Sequence, residues 1–155
     1  MTRQYDKGIA ECERGVALDP NSAGALGWLG QNLYWADRPE EAIPVLEKAI
    51  RLNPIPPPWY LSSLAMAYRD TGRYEKAISA CRKALNREPR NMFARLVLTG
   101  TYSLSGREEE ARAEAAEILR IDTKFSLERL AKTRPHKNQA NTESFIDSLR
   151  KAGLK

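Results

Sequence analysis

Small and apolar residues return along this chain at regular intervals. Leu26, Leu29 and Leu33 fall three and four apart, as do Leu61, Leu64 and Tyr68, and the set Ala42, Leu46 and Ala49 is matched by Ala77, Cys81 and Ala84. At 3.6 residues per turn such positions share one face, so the pattern predicts amphipathic helices. Their bounds follow from the residues that interrupt the pattern. Asn21 or Ser22 caps a helix over residues 23–36, and Pro39 opens one that ends at Leu52 before Asn53-Pro54. Gly72 supplies a left-handed residue between helices over 59–70 and 74–86, and a further pair is predicted over 92–104 and 107–121, joined through Ser105-Gly106. Pro44 lies inside its helix, where the missing donor predicts a slight bend.

Whole segments repeat as well as faces. Gly72 to Pro89 laid over Asp37 to Pro54 sets Arg73 on Arg38, Glu75 on Glu40, Ala77 on Ala42, Ile78 on Ile43, Ala84 on Ala49 and Pro89 on Pro54. Gly106, Arg107 and Ala111 continue the series, and Gly8, Ile9 and Pro20 precede it. A period of about 34 to 35 residues describes a helical unit too small to bury its own apolar side, stacked with its neighbours around one continuous core. The single insertion, Ile55-Pro56-Pro57-Pro58, predicts a short stiff connector.

The unit resembles the tetratricopeptide repeat. Leu26, Leu29, Gly30, Leu33, Ala42, Leu46, Ala49 and Pro54 stand at that family's marked positions, as do Leu61, Leu64, Ala65, Tyr68, Ala77, Cys81, Ala84 and Pro89. A last repeat matches at Leu98, Thr99, Tyr102, Ala111 and Ala115, with Ile118 and Thr123 in place of the usual Ala and Pro. The resemblance implies an all-α fold, a right-handed superhelical α-solenoid of antiparallel helix hairpins, with Gly30 where the two helices of a hairpin touch. It divides a single domain over 1–155 into a partial repeat over 5–20 that holds only a second helix, repeats over 22–54, 57–89 and 91–122, and capping helices over 126–152. It also implies a concave surface built from the first helices. There Gln31, Tyr34, Trp35, Trp59, Ser62, Met66, Arg69, Phe93 and Leu96 are expected to hold a protein or peptide segment, by aromatic and apolar contact with few charges. Chaperone-binding members grip a carboxylate with Lys and Asn at positions that are Gly27 and Gln31 here, so that grip is not expected.

Beyond Asp122 the phase is lost. Ser126 is placed to cap a short helix with Leu127 and Leu130 on its apolar side, and Asn141 to open a last one whose Phe145, Ile146 and Leu149 cover the final repeat. Phe125-Ser126-Leu127-Glu128-Arg129, a basic stretch ending near Lys137, and Arg150-Lys151-Ala152-Gly153-Leu154 resemble the C-terminal end of tetratricopeptide regions attached to bacterial adenylate and guanylate cyclases and related signalling proteins. That resemblance implies a regulatory module of a larger bacterial signalling protein. At the other end, the half repeat over 5–18 is expected to leave an apolar face uncovered, to be covered within a longer protein or by a second copy. Homodimerisation is therefore the second reading.

Composition narrows the remaining classes. No run of 18 apolar residues occurs and no apolar segment follows Met1, so neither a membrane span nor a signal peptide is expected, and the chain reads as cytoplasmic. The net charge of +5 sits in the tail, because residues 120–155 hold nine Lys or Arg against four Asp or Glu while the preceding residues are balanced. Lys124, Arg129, Lys132, Arg134 and Lys137 are the candidates for contact with an anionic surface; without interleaved stacking aromatics, nucleic acid is disfavoured. Cys12 and Cys81 hold the same repeat position two units apart, too far for a disulfide, and read as small buried hydrophobes. With His136, which reads as a solvated turn residue, they make no metal-ligand spacing. No phosphate loop or nucleophile motif occurs either, so neither an enzymatic activity nor a cofactor is expected.

Overall fold

The computed structural model describes residues 2–134 and 138–155, and among them every regular element is an α-helix. α1 (Thr2–Leu18) is followed by three hairpins: α2 (Ala23–Trp35) with α3 (Pro39–Leu52), α4 (Pro58–Asp70) with α5 (Tyr74–Arg87), and α6 (Met92–Leu104) with α7 (Glu108–Ile121). α8 (Leu127–Thr133) and α9 (Gln139–Lys151) close the chain. Between hairpins, α3 packs on α4 and α5 on α6; α1 packs on α2 in the same way and so takes the place of a second helix.

The hairpin turns share one construction. Asp37, Gly72 and Gly106 all have positive φ, at 63°, 76° and 76°. The next N–H in each, from Arg38, Arg73 and Arg107, returns to the carbonyl of Leu33, Tyr68 and Tyr102, which satisfies the last turn of the first helix. Asp is among the few residues that enter the left-handed region at modest cost, which lets Asp37 serve where the later turns use glycine. Helix starts are capped by Ser22, Asn91, Ser126 and Asn138, whose side chains accept the N–H of Ala25, Ala94, Arg129 and Ala140. α3 runs through Pro44 unbroken.

Small residues lie where helices meet. A Cβ on Gly30 would stand 2.5 Å from Leu46 Cγ, so only glycine lets α2 and α3 approach this closely. Ala42, Ala49, Ala65, Ala77 and Ala84 are fully buried at the matching contacts. Tyr68 and Tyr102 fill the space between hairpin helices and keep their hydroxyls partnered, Tyr68 donating to Glu47 and Tyr102 accepting from Arg82 at 2.9 Å. On the surface, Arg73 meets Glu40 at 3.1 Å and Arg107 meets Glu75 at 3.2 Å, each pair linking one hairpin to the one before.

Candidate functional site: the concave groove

The first helices α2, α4 and α6 present one side to a shared groove. α4 is the middle of the three, and every residue from Tyr60 to Arg69 is buried. Of the residues the sequence places on the groove, Tyr34, Ser62, Met66, Arg69 and Leu96 are buried, while Gln31, Trp35, Trp59 and Phe93 are half-buried.

Much of that burial comes from the chain's own tail. The Phe145 ring of α9 lies 4.2 Å from the Arg69 guanidinium and 4.1 Å from that of Arg134, which also stands 5.2 Å over the Trp35 ring. Arg134 Nη2 is 3.7 Å from Met66 Sδ. Gly100 on α6 makes room for α9, since a Cβ there would be 2.8 Å from Ser148 Oγ and 3.0 Å from Phe145 Cε2. Asn141 donates to Asp37 in the turn after α2. The tail thus reaches α2, α4 and α6 rather than the last repeat alone. Its final helix also opens earlier than the sequence suggests: Asn138 is the cap, and Asn141, one turn in, is free to reach Asp37.

The covered part of the groove is more highly charged than its composition implies. Arg69, with a side chain only 2% exposed, pairs with Asp70 at 2.6 Å, and the Tyr34 hydroxyl donates to the same carboxylate at 2.8 Å. Burial works against the Arg69 charge, but Asp70 and Tyr34 outweigh it and hold the guanidinium above its usual pKa. Burial likewise pushes Tyr34 far above the ordinary tyrosine range. Arg134 is drawn down to about 10, chiefly by burial. Nη1 of Arg69 and Nε of Arg134 are buried without a hydrogen-bond partner.

Beside this covered part lies an open aromatic one. Trp28 is 55% exposed and its ring is 4.9 Å from that of Trp59, which meets Tyr60 edge-on at 4.3 Å. Gly27, counted among the inner positions, carries the Tyr60 ring instead of open space: a Cβ there would lie 2.6 Å from Tyr60 Cε1. The Tyr60 hydroxyl donates to the Ala23 carbonyl at 3.0 Å. Gln31 donates to Ser63 at 3.4 Å. Sequence reasoning passed over Trp28, although its counterpart in the next repeat, Ser63, marks the position as one without a fixed need for bulk.

The basic candidates disperse. Arg129 pairs with Asp122 at 3.1 Å and Lys132 with Glu128 at 2.6 Å, Lys124 is exposed, and Arg134 turns inward; Lys137 and His136 lie outside the described residues. The uncovered side of α1 is polar instead of apolar. It shows Lys7, Glu11 and Arg14 with two alanines, and Leu18 is its one strongly exposed large hydrophobic residue. Cys12 and Cys81 are free thiols, the latter fully buried and pushed up to about 12 by that burial. Among the described residues no group of three metal-ligating side chains occurs, and no helix is long and apolar enough to cross a membrane.

Stacked helical hairpins with a groove along their first helices define a helical-repeat scaffold. Two family models, both described as tetratricopeptide repeat, match residues 2–54 and 58–91, together more than half of the chain. The chain belongs to the tetratricopeptide repeat family, and is a non-catalytic protein-interaction scaffold. Among solved structures it is similar to a crystal structure of MamA, with a TM-score of 0.73 and 20% identity over 96% of this chain and 86% of that one. YrrB, described as a tetratricopeptide repeat protein with an unusual peptide-binding site, matches with a TM-score of 0.69 and 18% identity over 97% and 77%. The Arabidopsis OM64 repeat domain matches with a TM-score of 0.64 and 19% identity over 84% and 95%. At these identities the likeness is one of fold. No curated protein matches the sequence.

Proposed function

We propose that this chain binds a segment of another protein along its concave groove, as a cytoplasmic regulatory module of a larger bacterial signalling protein. The observation that carries the binding reading is the Trp28–Trp59 pair, two large rings 4.9 Å apart, one of them more than half exposed, beside the half-buried Gln31. Tryptophan exposed in this way adds little to a monomer, whereas buried against a partner it is among the side chains that contribute most to affinity. Gln31, Trp59 and Phe93 offer contact in the present state; Tyr34, Trp35, Ser62, Met66, Arg69 and Leu96 lie in or beside the part that α9 covers. The signalling role is supported by the resemblance of the tail to repeat regions behind bacterial nucleotide cyclases. Self-association through α1 has less support, because its uncovered side is polar.

The test is the affinity of a partner isolated with the intact chain. Replacing Trp28 and Trp59 together with Ala should weaken it by about a hundredfold or more, the loss of at least one strong contact. An unchanged affinity moves the site off this groove, and a concentration-dependent dimer by light scattering would restore the self-association reading.

A further inference from the structure

Away from the concave groove, the space between one second helix and the next is filled differently at each step of the stack. Between α1 and α3, Val45 packs with Val16 against Leu26, Ala49 and Tyr60, and Lys48 reaches the Pro20 carbonyl at 2.9 Å. Between α5 and α7 the filling is ionic: Arg95 pairs with Glu114 at 2.7 Å, lies 3.8 Å from Glu117 and donates to the Pro89 carbonyl. The middle step, between α3 and α5, has neither device. There the counterpart of Val45 and Glu114 is Ala80, that of Arg95 is Leu61, and that of Glu117 is Lys83. What remains is an open cleft, two adjoining cavities of about 380 and 250 Å³ that share Ile50, Leu61 and Lys83. Leu64, Tyr68 and Ala80 continue its apolar floor. Its far end is walled by the inserted connector, which Arg87 holds by donating to the Pro56 carbonyl and which leaves Ile55 exposed.

The rim of this cleft carries one sign of charge. Lys76, Lys83 and Arg87 are exposed along it and make no ion pair among the described residues. The acids of α3 and α5 are engaged elsewhere: Glu40 with Arg73, Glu41 with Arg38, Glu75 with Arg107, and Glu47 with the Tyr68 hydroxyl. A cleft of one sign with apolar walls draws in the opposite charge and repels its own. One step further along the stack the chain supplies both halves of the pairing; here it supplies only the cations. We propose that the outer cleft between α3 and α5 is a second docking site, and that its occupant is a partner segment in which Asp or Glu is interspersed with large apolar residues. The apolar side chains cover Ile50, Leu61 and Leu64, and the carboxylates meet Lys76, Lys83 and Arg87. Lys76 and Arg87 are about 16 Å apart along the helix, a span of about five extended residues. The site lies on the second helices, so it goes beyond the reading of the concave groove and does not depend on it.

Three short labelled peptides, alternating Glu with Leu, Glu with Ser and Lys with Leu, titrated onto the full chain by fluorescence anisotropy, test the proposal. The Glu–Leu peptide is expected to bind, and each of the others to bind about tenfold more weakly or worse. Two variants place the contact. Lys76→Glu with Lys83→Glu, residues that Glu110 and Glu117 replace one repeat on, should lower Glu–Leu affinity by about tenfold or more. Ala80→Val, which copies Val45, fills the floor without changing charge and should lower it similarly. The neighbouring repeats already carry these residues, and an unchanged thermal midpoint checks that each variant folds; if Ala80→Val unfolds, the lysine pair decides alone. Failure of the Glu–Leu peptide to bind, equal affinity of the Glu–Leu and Glu–Ser peptides, or indifference to the lysine substitutions would overturn the proposal. So would binding to phosphatidylserine vesicles that the lysine substitutions abolish while no peptide binds, which would make the rim a lipid contact. Trp28→Ala with Trp59→Ala should leave Glu–Leu affinity unchanged, and a tenfold loss there would put the peptide in the concave groove instead.

Discussion

The guanidinium of Arg69 lies 4.2 Å from the centre of the Phe145 ring, a contact that joins the middle of the helical stack to the last helix of the chain. Cation–ring contacts of this kind are worth most when water is excluded, and Arg69 is buried. The same ring is shared with Arg134, so one side chain of α9 organises two cations.

Phe145→Ala should therefore release the tail without melting the repeats. Truncating a buried phenylalanine costs about 3–5 kcal/mol in a core, more than a peripheral pair of helices is expected to withstand. Hydrogen exchange should show loss of protection across α8 and α9 with α2 to α7 still protected. A loss spread evenly over all helices would mean that α9 is part of one cooperative core.

The contact between α2 and α3 has a sharper steric limit. Gly30→Ala places a methyl 2.5 Å from Leu46 Cγ and should destabilise the chain by about 1–3 kcal/mol, read as a lowered urea midpoint at unchanged slope. Adding Leu46→Ala should recover part of the overpacking cost, so the double variant should be more stable than the sum of the single ones. Strict additivity would show that the two sites do not share this space.

At the hairpin turns the identity of the left-handed residue sets the cost. Gly72 has φ of 76° and open space around it, so Gly72→Ala should lose about 1–2 kcal/mol through backbone conformation alone. Gly72→Asp should lose less, because Asp37 holds the equivalent place in the first hairpin. Equal losses in thermal or urea unfolding would assign the effect to something other than the φ angle.

Alkaline conditions should weaken the fold in a defined window. The Cys81 thiol rises from 9.0 to about 12 through burial, and the Tyr68 hydroxyl from 10.0 to about 12 through burial and its bond to Glu47. Both are neutral when protonated and hold the proton more tightly in the folded state. Their contribution is complete below pH 9, declines as the unfolded-state groups ionise, and is spent once pH passes about 12. The urea midpoint should fall across that range, and Cys81→Ala should flatten its onset. At neutral pH, Cys12, half-buried, should react with a thiol reagent well before Cys81 does.

The repeats were legible because their chemistry is local. A residue such as Gly30 or Ala77 is small for a reason that acts within one hairpin and returns with each period, and the turns at Gly72 and Gly106 show in the sequence as glycines. The path of the tail was not legible, since no period reports it. Gly100 carries the trace of α9, but in a sequence it is indistinguishable from any other small residue of a repeat. Arg69 reads as a polar groove residue until Phe145 is seen over it. Trp28 escaped notice because it falls between the inner positions that the repeat marks, beside Gly27, although its repeat counterpart is a serine.

The ion pairs of Arg73 with Glu40 and Arg107 with Glu75 have a consequence for how such a chain grows. Each joins equivalent points of adjoining hairpins, so a duplicated hairpin arrives already carrying both halves of the join, and an excised one leaves two ends that still match. Length can therefore change by whole units during descent without new chemistry having to arise at the seam.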